Sequence, residues 1–192
     1  MANQEANKKF RRPLLEGALA VAATAAIAGP VPALAESFLK LGDIRGESTD
    51  SKHKGEIEVL SFSQSFTNTS DGSFGGGAGE GKVQCGAISM LKNIDASSPF
   101  LLKGVATGQH YKDAVITFRA AGAKESQEYY VITMSDVLIS ELSQTDSADP
   151  NRIFEKLVIN ARTFEFKYTP SSVKGSVTPV SFKYDCAANK TD

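Results

Sequence analysis

Two cysteines, two histidines and three closely spaced glutamates carry the most obvious chemistry in this chain of 192 residues. Cys85 and Cys186 are its only cysteines. They form one disulfide or stay as two half-buried thiols, and the sequence leaves both open. His53 follows Asp50 by three residues in a polar stretch, and neither His53 nor His110 has a second His or Cys at metal-ligand spacing. Serines are abundant, but no G-x-S-x-G elbow is present to activate one. Glu47, Glu56 and Glu58 lie close together, and alternation puts Glu56 and Glu58 on one strand face. Such a pair is more often solvated than an acid–base pair. Residues 76–82 read GGAGEGK and match G-x-x-x-x-G-K. A phosphate-binding loop needs Ser or Thr next and a helix after it, whereas here Val83 follows and opens a strand. These readings imply no catalytic residue, no cofactor and no metal.

The elements that must position these residues are mostly strands. Runs of β-branched and aromatic residues bounded by turn formers fall at 38–41, 56–66, 82–89, 114–118, 129–134, 137–143, 153–160, 164–168 and 177–184. That spacing predicts a barrel or sandwich. One helix is expected from the Ser98-Pro99 start to Gly108, with Ser98 as the N-cap, and Leu101 and Val105 share a face. Residues 68–81 hold six glycines and one strongly apolar residue, Phe74, which predicts a long hairpin tip used for binding or assembly.

The first 35 residues read as an export signal. Lys8, Lys9, Arg11 and Arg12 precede an eleven-residue apolar stretch at 18–28, and Ala33-Leu34-Ala35 offers a cleavage point. Arg11-Arg12 admits the twin-arginine route beside the general secretory one, and the alanine-rich core points to a bacterium. A bacterial source empties the Asn68 and Asn189 glycosylation sequons of meaning. Cleavage leaves 36–192 as one domain, in the periplasm or outside the cell. An uncleaved signal leaves assembly in the cytoplasm. Removing four basic and two acidic residues from the chain's 21 and 22 leaves 17 and 20, a net of −3. This balance gives no footprint for nucleic acid. No apolar run reaches the ~20 residues of a membrane-spanning helix, so no stable membrane insertion is expected.

The residues in order resemble a known family. Residues 38–48, FLKLGDIRGES, with Asp50, His53 and IEVLSFS at 57–63, resemble the N-terminal signature of the Hcp proteins, which form the tube of type VI secretion systems. The resemblance runs on through the glycine-rich segment, NIDASSP at 93–99, residues 129–138, EKLVI at 155–159, and Tyr184-Asp185 with Asn189-Lys190. It implies a mainly β fold, a closed or nearly closed barrel of two packed antiparallel sheets with one flanking α-helix. It further implies a non-enzymatic subunit that forms hexameric rings, stacked into a hollow tube that carries effectors. Its partners are then further copies of itself and the spike, sheath and effector proteins. Ser61 and Ser63 are implied to line the lumen, with Ser63 contacting cargo. Asn68, Phe74, Gly76, Gly77, Gly79 and Gly81 belong to the segment implied in ring-to-ring contact. Family members often carry two aromatics around that serine, and this chain has Phe62 and Gln64 there. The expected export signal fits a second reading, an Hcp-like binding module that acts outside the cytoplasm as a monomer or single ring.

Overall fold

The structure, a computed structural model, describes residues 36–69, 82–120, 127–146, 152–170 and 178–191. The expected export signal therefore lies outside the described residues. Alternating apolar residues build the main sheet. β1 (Glu36–Leu41) lies between β2 (Ile57–Val59) and β7 (His110–Arg119), antiparallel to both. β7 pairs β8 (Glu128–Asp146), and β8 pairs β9 (Ile153–Tyr168). β9 then serves two further strands. Residues 154–159 pair β6 (Ile88–Asn93), and residues 163–168 pair β10 (Val180–Asp185). β6 in turn carries β3 (Ser61–Ser63).

Only Leu60 separates β2 from β3, and its N–H donates to the Leu91 carbonyl at 2.7 Å. The chain therefore steps from one edge of the sheet to the other at this residue. The barrel closes through the chain itself, without a continuous hydrogen-bonded ladder. β4 (Phe66–Asn68) and β5 (Val83–Cys85) form a separate hairpin, and β11 (Lys190–Thr191) pairs the end of β10. The interior is filled by Leu39, Leu41, Ile57, Ile88, Met90, Ile116, Ile132, Met134, Leu157, Ile159 and Phe164. Among the described residues, no helix is long and apolar enough to cross a membrane.

Three local expectations need correction. Residues 129–134 and 137–143 are one strand, β8, and 153–160 and 164–168 are one strand, β9. The break expected in β8 falls at Asp136, whose φ is 52°, and β8 shifts register again between Ile139 and Glu141, within the second of its two expected runs. Conversely, 56–66 is divided among β2, β3 and β4, because the chain changes partner at Leu60. The helix α1 (Ser98–Thr107) is capped one residue early, at Ser97. The Ser98 hydroxyl is engaged elsewhere. It donates to Glu155 Oε2 at 2.5 Å and accepts from Lys92 Nζ at 3.1 Å. Lys92 Nζ also reaches Glu155 Oε2 at 2.8 Å and Asp95 Oδ1 at 2.9 Å, and Gln144 donates to Glu155 Oε1 at 2.9 Å. Burial raises the Glu155 pKa, but these donors outweigh it and the net shift is downward. A fully buried charge pair is tolerated only when satisfied in this way. Gly108 ends the helix at φ 61°, as expected, with the Gln109 N–H returning to the Gly104 carbonyl.

Candidate assembly surfaces

In β3 the central side chain, Phe62, turns inward and packs edge-on against Phe118 at 5.0 Å. Ser61 and Ser63 therefore face outward together, opposite Leu91 and Ser89 of β6. The result is a small polar strip with no bulky side chain of its own. Gln64 follows, with its Nε2 buried and without a hydrogen-bond partner.

The hairpin β4–β5 carries the glycine-rich segment. Thr69 closes its base, donating from both N–H and Oγ1 to the Lys82 carbonyl at 3.0 and 2.9 Å. Asn68 is exposed at the end of β4. Phe74, Gly76, Gly77, Gly79 and Gly81 lie outside the described residues. Cys85 of β5 is bonded to Cys186, just beyond β10, with Cα atoms 6.1 Å apart.

An apolar surface missing from the sequence reading lies across β8, β9 and β10. Register aligns Met134, Phe164 and Tyr184 in one row, Ile132, Phe166 and Phe182 in the next, and Tyr130, Tyr168 and Val180 in the last. Exposure climbs along this face, from 1% at Phe164 to 52% at Phe182 and 66% at Val180. The core face thus runs on past the point where the barrel covers it. Phe66 leans over it, edge-on to Phe164 and Phe166 at 5.5 Å each, and with Phe62 and Tyr184 it encloses an open cup of about 520 Å³. Burial raises the phenol pKa of Tyr130 in the cup wall. The signal was present in the alternation of Val180, Phe182 and Tyr184. Which face that alternation served depended on a pairing the sequence does not show.

Both histidines lie against carboxylates. His53 stacks on the Phe38 ring at 4.3 Å and meets Glu56 through Nδ1 at 2.9 Å, and Glu128 lies 3.6 Å from its Nε2. Arg119 lies over the same Phe38 ring, 5.2 Å from its centre, and ion-pairs with Glu36 and, at 2.6 Å, with Asp50. This stack of ring, ring and guanidinium pins the start of β1 to the 48–56 turn. Arg119 holds the Asp50 carboxyl down to about 2. Burial opposes the charge of Arg119, and the two carboxylates outweigh it, so its pKa rises. His110 pairs with Asp136 at 2.7 Å on an exposed edge. Glu56 precedes β2 and is turned to His53, so it does not share a strand face with Glu58.

Comparison with known proteins places this arrangement. Residues 38–173 match the family model described as type VI secretion system effector, Hcp. Protein hcp1 of Pseudomonas aeruginosa is 36% identical over 149 residues, which span 78% of this chain and 92% of the relative. The crystal structure of Hcp1 from Salmonella typhimurium is 32% identical, with a TM-score of 0.68 over 82% of this chain and 99% of its own. A solved type six secretion system protein shares the fold at 22% identity, with a TM-score of 0.75 over 83% and 100%. The chain belongs to the Hcp family of type VI secretion system proteins.

Proposed function

We propose that this chain is a structural subunit of a type VI secretion tube. Six copies close a ring through head-to-tail contacts, and rings stack into a hollow tube that carries effectors. The observation that carries this reading is the uncovered face on β8–β10, where the barrel's own core runs out into solvent through Phe182, Tyr168 and Val180. An exposed apolar face of this kind beside a strand edge calls for a partner. A head-to-tail arrangement lets one such face per copy meet a different face of the next, and it closes a ring when the rotation from copy to copy completes a turn. Ser61 and Ser63 are read as lumen residues. The segment from Asn68 through Phe74, Gly76, Gly77, Gly79 and Gly81 is read as the ring-to-ring contact. The role needs no catalysis, and the residues brought together above serve ion pairs and packing. The expected partners are the spike, sheath and effector proteins.

A second reading is favoured by the Cys85–Cys186 bond, since such bonds persist in oxidising compartments. In it, residues 1–35 direct export, and 36–192 act outside the cytoplasm as a monomer or single ring. Native mass spectrometry of the purified chain at micromolar concentration, with electron microscopy of the same sample, separates the readings. A hexamer that stacks into tubes supports the tube subunit, and a clean monomer or a hexamer that never stacks supports the exported module.

A further inference from the structure

Among the described residues, the hairpin β4–β5 shares no ladder with the nine-stranded sheet. It is joined to the barrel in three other ways. It is continuous with β3 and β6, and the Gly86 N–H donates to the Ser65 carbonyl across that junction at 2.8 Å. On its inner face, Phe66 meets Phe164 and Phe166. On its β5 edge it is tied to the chain's end. Cys85 is bonded to Cys186, and the Val83 N–H donates to Asn189 Oδ1 at 2.9 Å. The Tyr184 hydroxyl donates to that same oxygen at 2.7 Å, and Asn189 holds a left-handed backbone at φ 53° to present it.

We propose that the Cys85–Cys186 bond is a redox-sensitive clamp. It fixes the hairpin, and with it the base of the glycine-rich segment, onto β10 and β11. Without the bond, the described residues leave the β5 edge the Val83–Asn189 hydrogen bond, and leave β4 the contacts of Phe66 with Phe164 and Phe166. Neither gives the edge a ladder, so it opens locally at much lower cost than the sheet beneath it. Both cysteines are half-buried rather than enclosed in the core. A thiolate of a dithiol reductant attacks one sulfur, the S–S bond breaks, and the other sulfur leaves and takes up a proton. The reductant's second thiol then displaces the first sulfur, giving two protein thiols and a cyclic disulfide, with two electrons transferred. A disulfide oxidant runs the sequence backwards. A chain held in a reducing compartment thus presents the glycine-rich segment on a loose base, and one in an oxidising compartment presents it on a fixed base. The consequence for ring stacking rests on the tube reading, whereas the clamp itself does not.

Hydrogen exchange on the full chain, with and without dithiothreitol, tests this, with the Cys85→Ser/Cys186→Ser double variant as reference. Reduction is expected to speed exchange in residues 66–69, 82–85 and 180–191 by about tenfold or more, leaving β1 and β7 unchanged. The double variant should show the fast pattern in both conditions. Electron microscopy of the same samples should show shorter stacks after reduction. Unchanged exchange on full reduction overturns the clamp, as does a bond that dithiothreitol cannot reduce in the folded chain. Faster exchange in a chain that stays monomeric in both states supports the clamp and removes the tube reading. Faster exchange with unchanged stacks overturns the coupling to stacking.

Discussion

Arg119 ion-pairs with two carboxylates, and only one of them is built into a turn. Asp50 Oδ1 accepts from the N–H groups of Lys52 at 2.8 Å and His53 at 3.1 Å, while its other oxygen faces Arg119. The carboxyl is thereby held at about 2, below its ordinary 3.8. A carboxyl whose folded pKa is depressed contributes stability that is present above its unfolded value and lost as pH falls through the folded one. The window therefore runs from about pH 4 down to about pH 2. Asp50→Asn keeps an oxygen for the two backbone donors and removes the charge. Urea midpoints taken across that window should fall more steeply for the natural chain than for the variant. Parallel curves would show that the ion pair with Arg119 is not coupled to folding. Sequence reading placed Asp50 and His53 together in a turn and offered Glu58, Arg119 and Lys167 for ion pairs at a rim between copies, but it could not join Arg119 to Asp50, 69 positions earlier in the chain. The Lys92–Glu155 pair was hidden for the same reason. Each charge alone reads as surface, and only the β6–β9 register brings them into one interior.

The elements were legible where a pattern is local and misread where strands bend. The buried positions of β8 are Ile132 and Met134, then Val137 and Ile139, so the phase changes between them. Sequence reading saw that change and took it for a turn. It is a bend that carries a strand from one wall of a barrel to the next. α1 was legible because Pro99 and Gly108 punctuate it locally. What the pattern could not show is how closely the helix lies on the sheet. Gly104 is buried in its middle, and a Cβ there would collide with the Tyr111 hydroxyl and lie 2.9 Å from Ile139 Cδ1. An exposed helical glycine gains about 1 kcal/mol on becoming alanine. Here the clash falls on a buried ring, and overpacking costs about 1–3 kcal/mol. Gly104→Ala is therefore expected to lower stability despite its better helix propensity, by about 1 kcal/mol net after subtracting the gain. Urea unfolding measures it, and a stabilised variant would mean that the helix stands off the sheet.

At the scale of the whole molecule, the question is why a barrel with a filled interior leaves its outermost row bare. The ladder from Phe164 to Val180 has the composition of a core at both ends, and it is covered at only one. The family was legible from the ordered residues of the sequence. This surface was not, because it exists only when β8, β9 and β10 are in register. If a neighbouring copy covers it, a charge at its far end should block assembly without touching the fold. Val180 is the best position, being 66% exposed at the first residue of β10, with Tyr168 opposite. Val180→Lys removes about 1.5–3 kcal/mol of apolar burial at each contact and adds a charge that the contact must desolvate. A closed ring has one such contact per subunit, so the loss is felt at every joint. Ser181→Lys, one residue on and on the opposite face of the strand, is the control. Both variants should keep the natural chain's circular dichroism, and surface substitutions of this kind shift stability by about 0.5 kcal/mol or less. Sedimentation velocity should then show Val180→Lys as a monomer where the natural chain and Ser181→Lys are assembled. If Val180→Lys assembles as the natural chain does, the bare row is not the contact between copies.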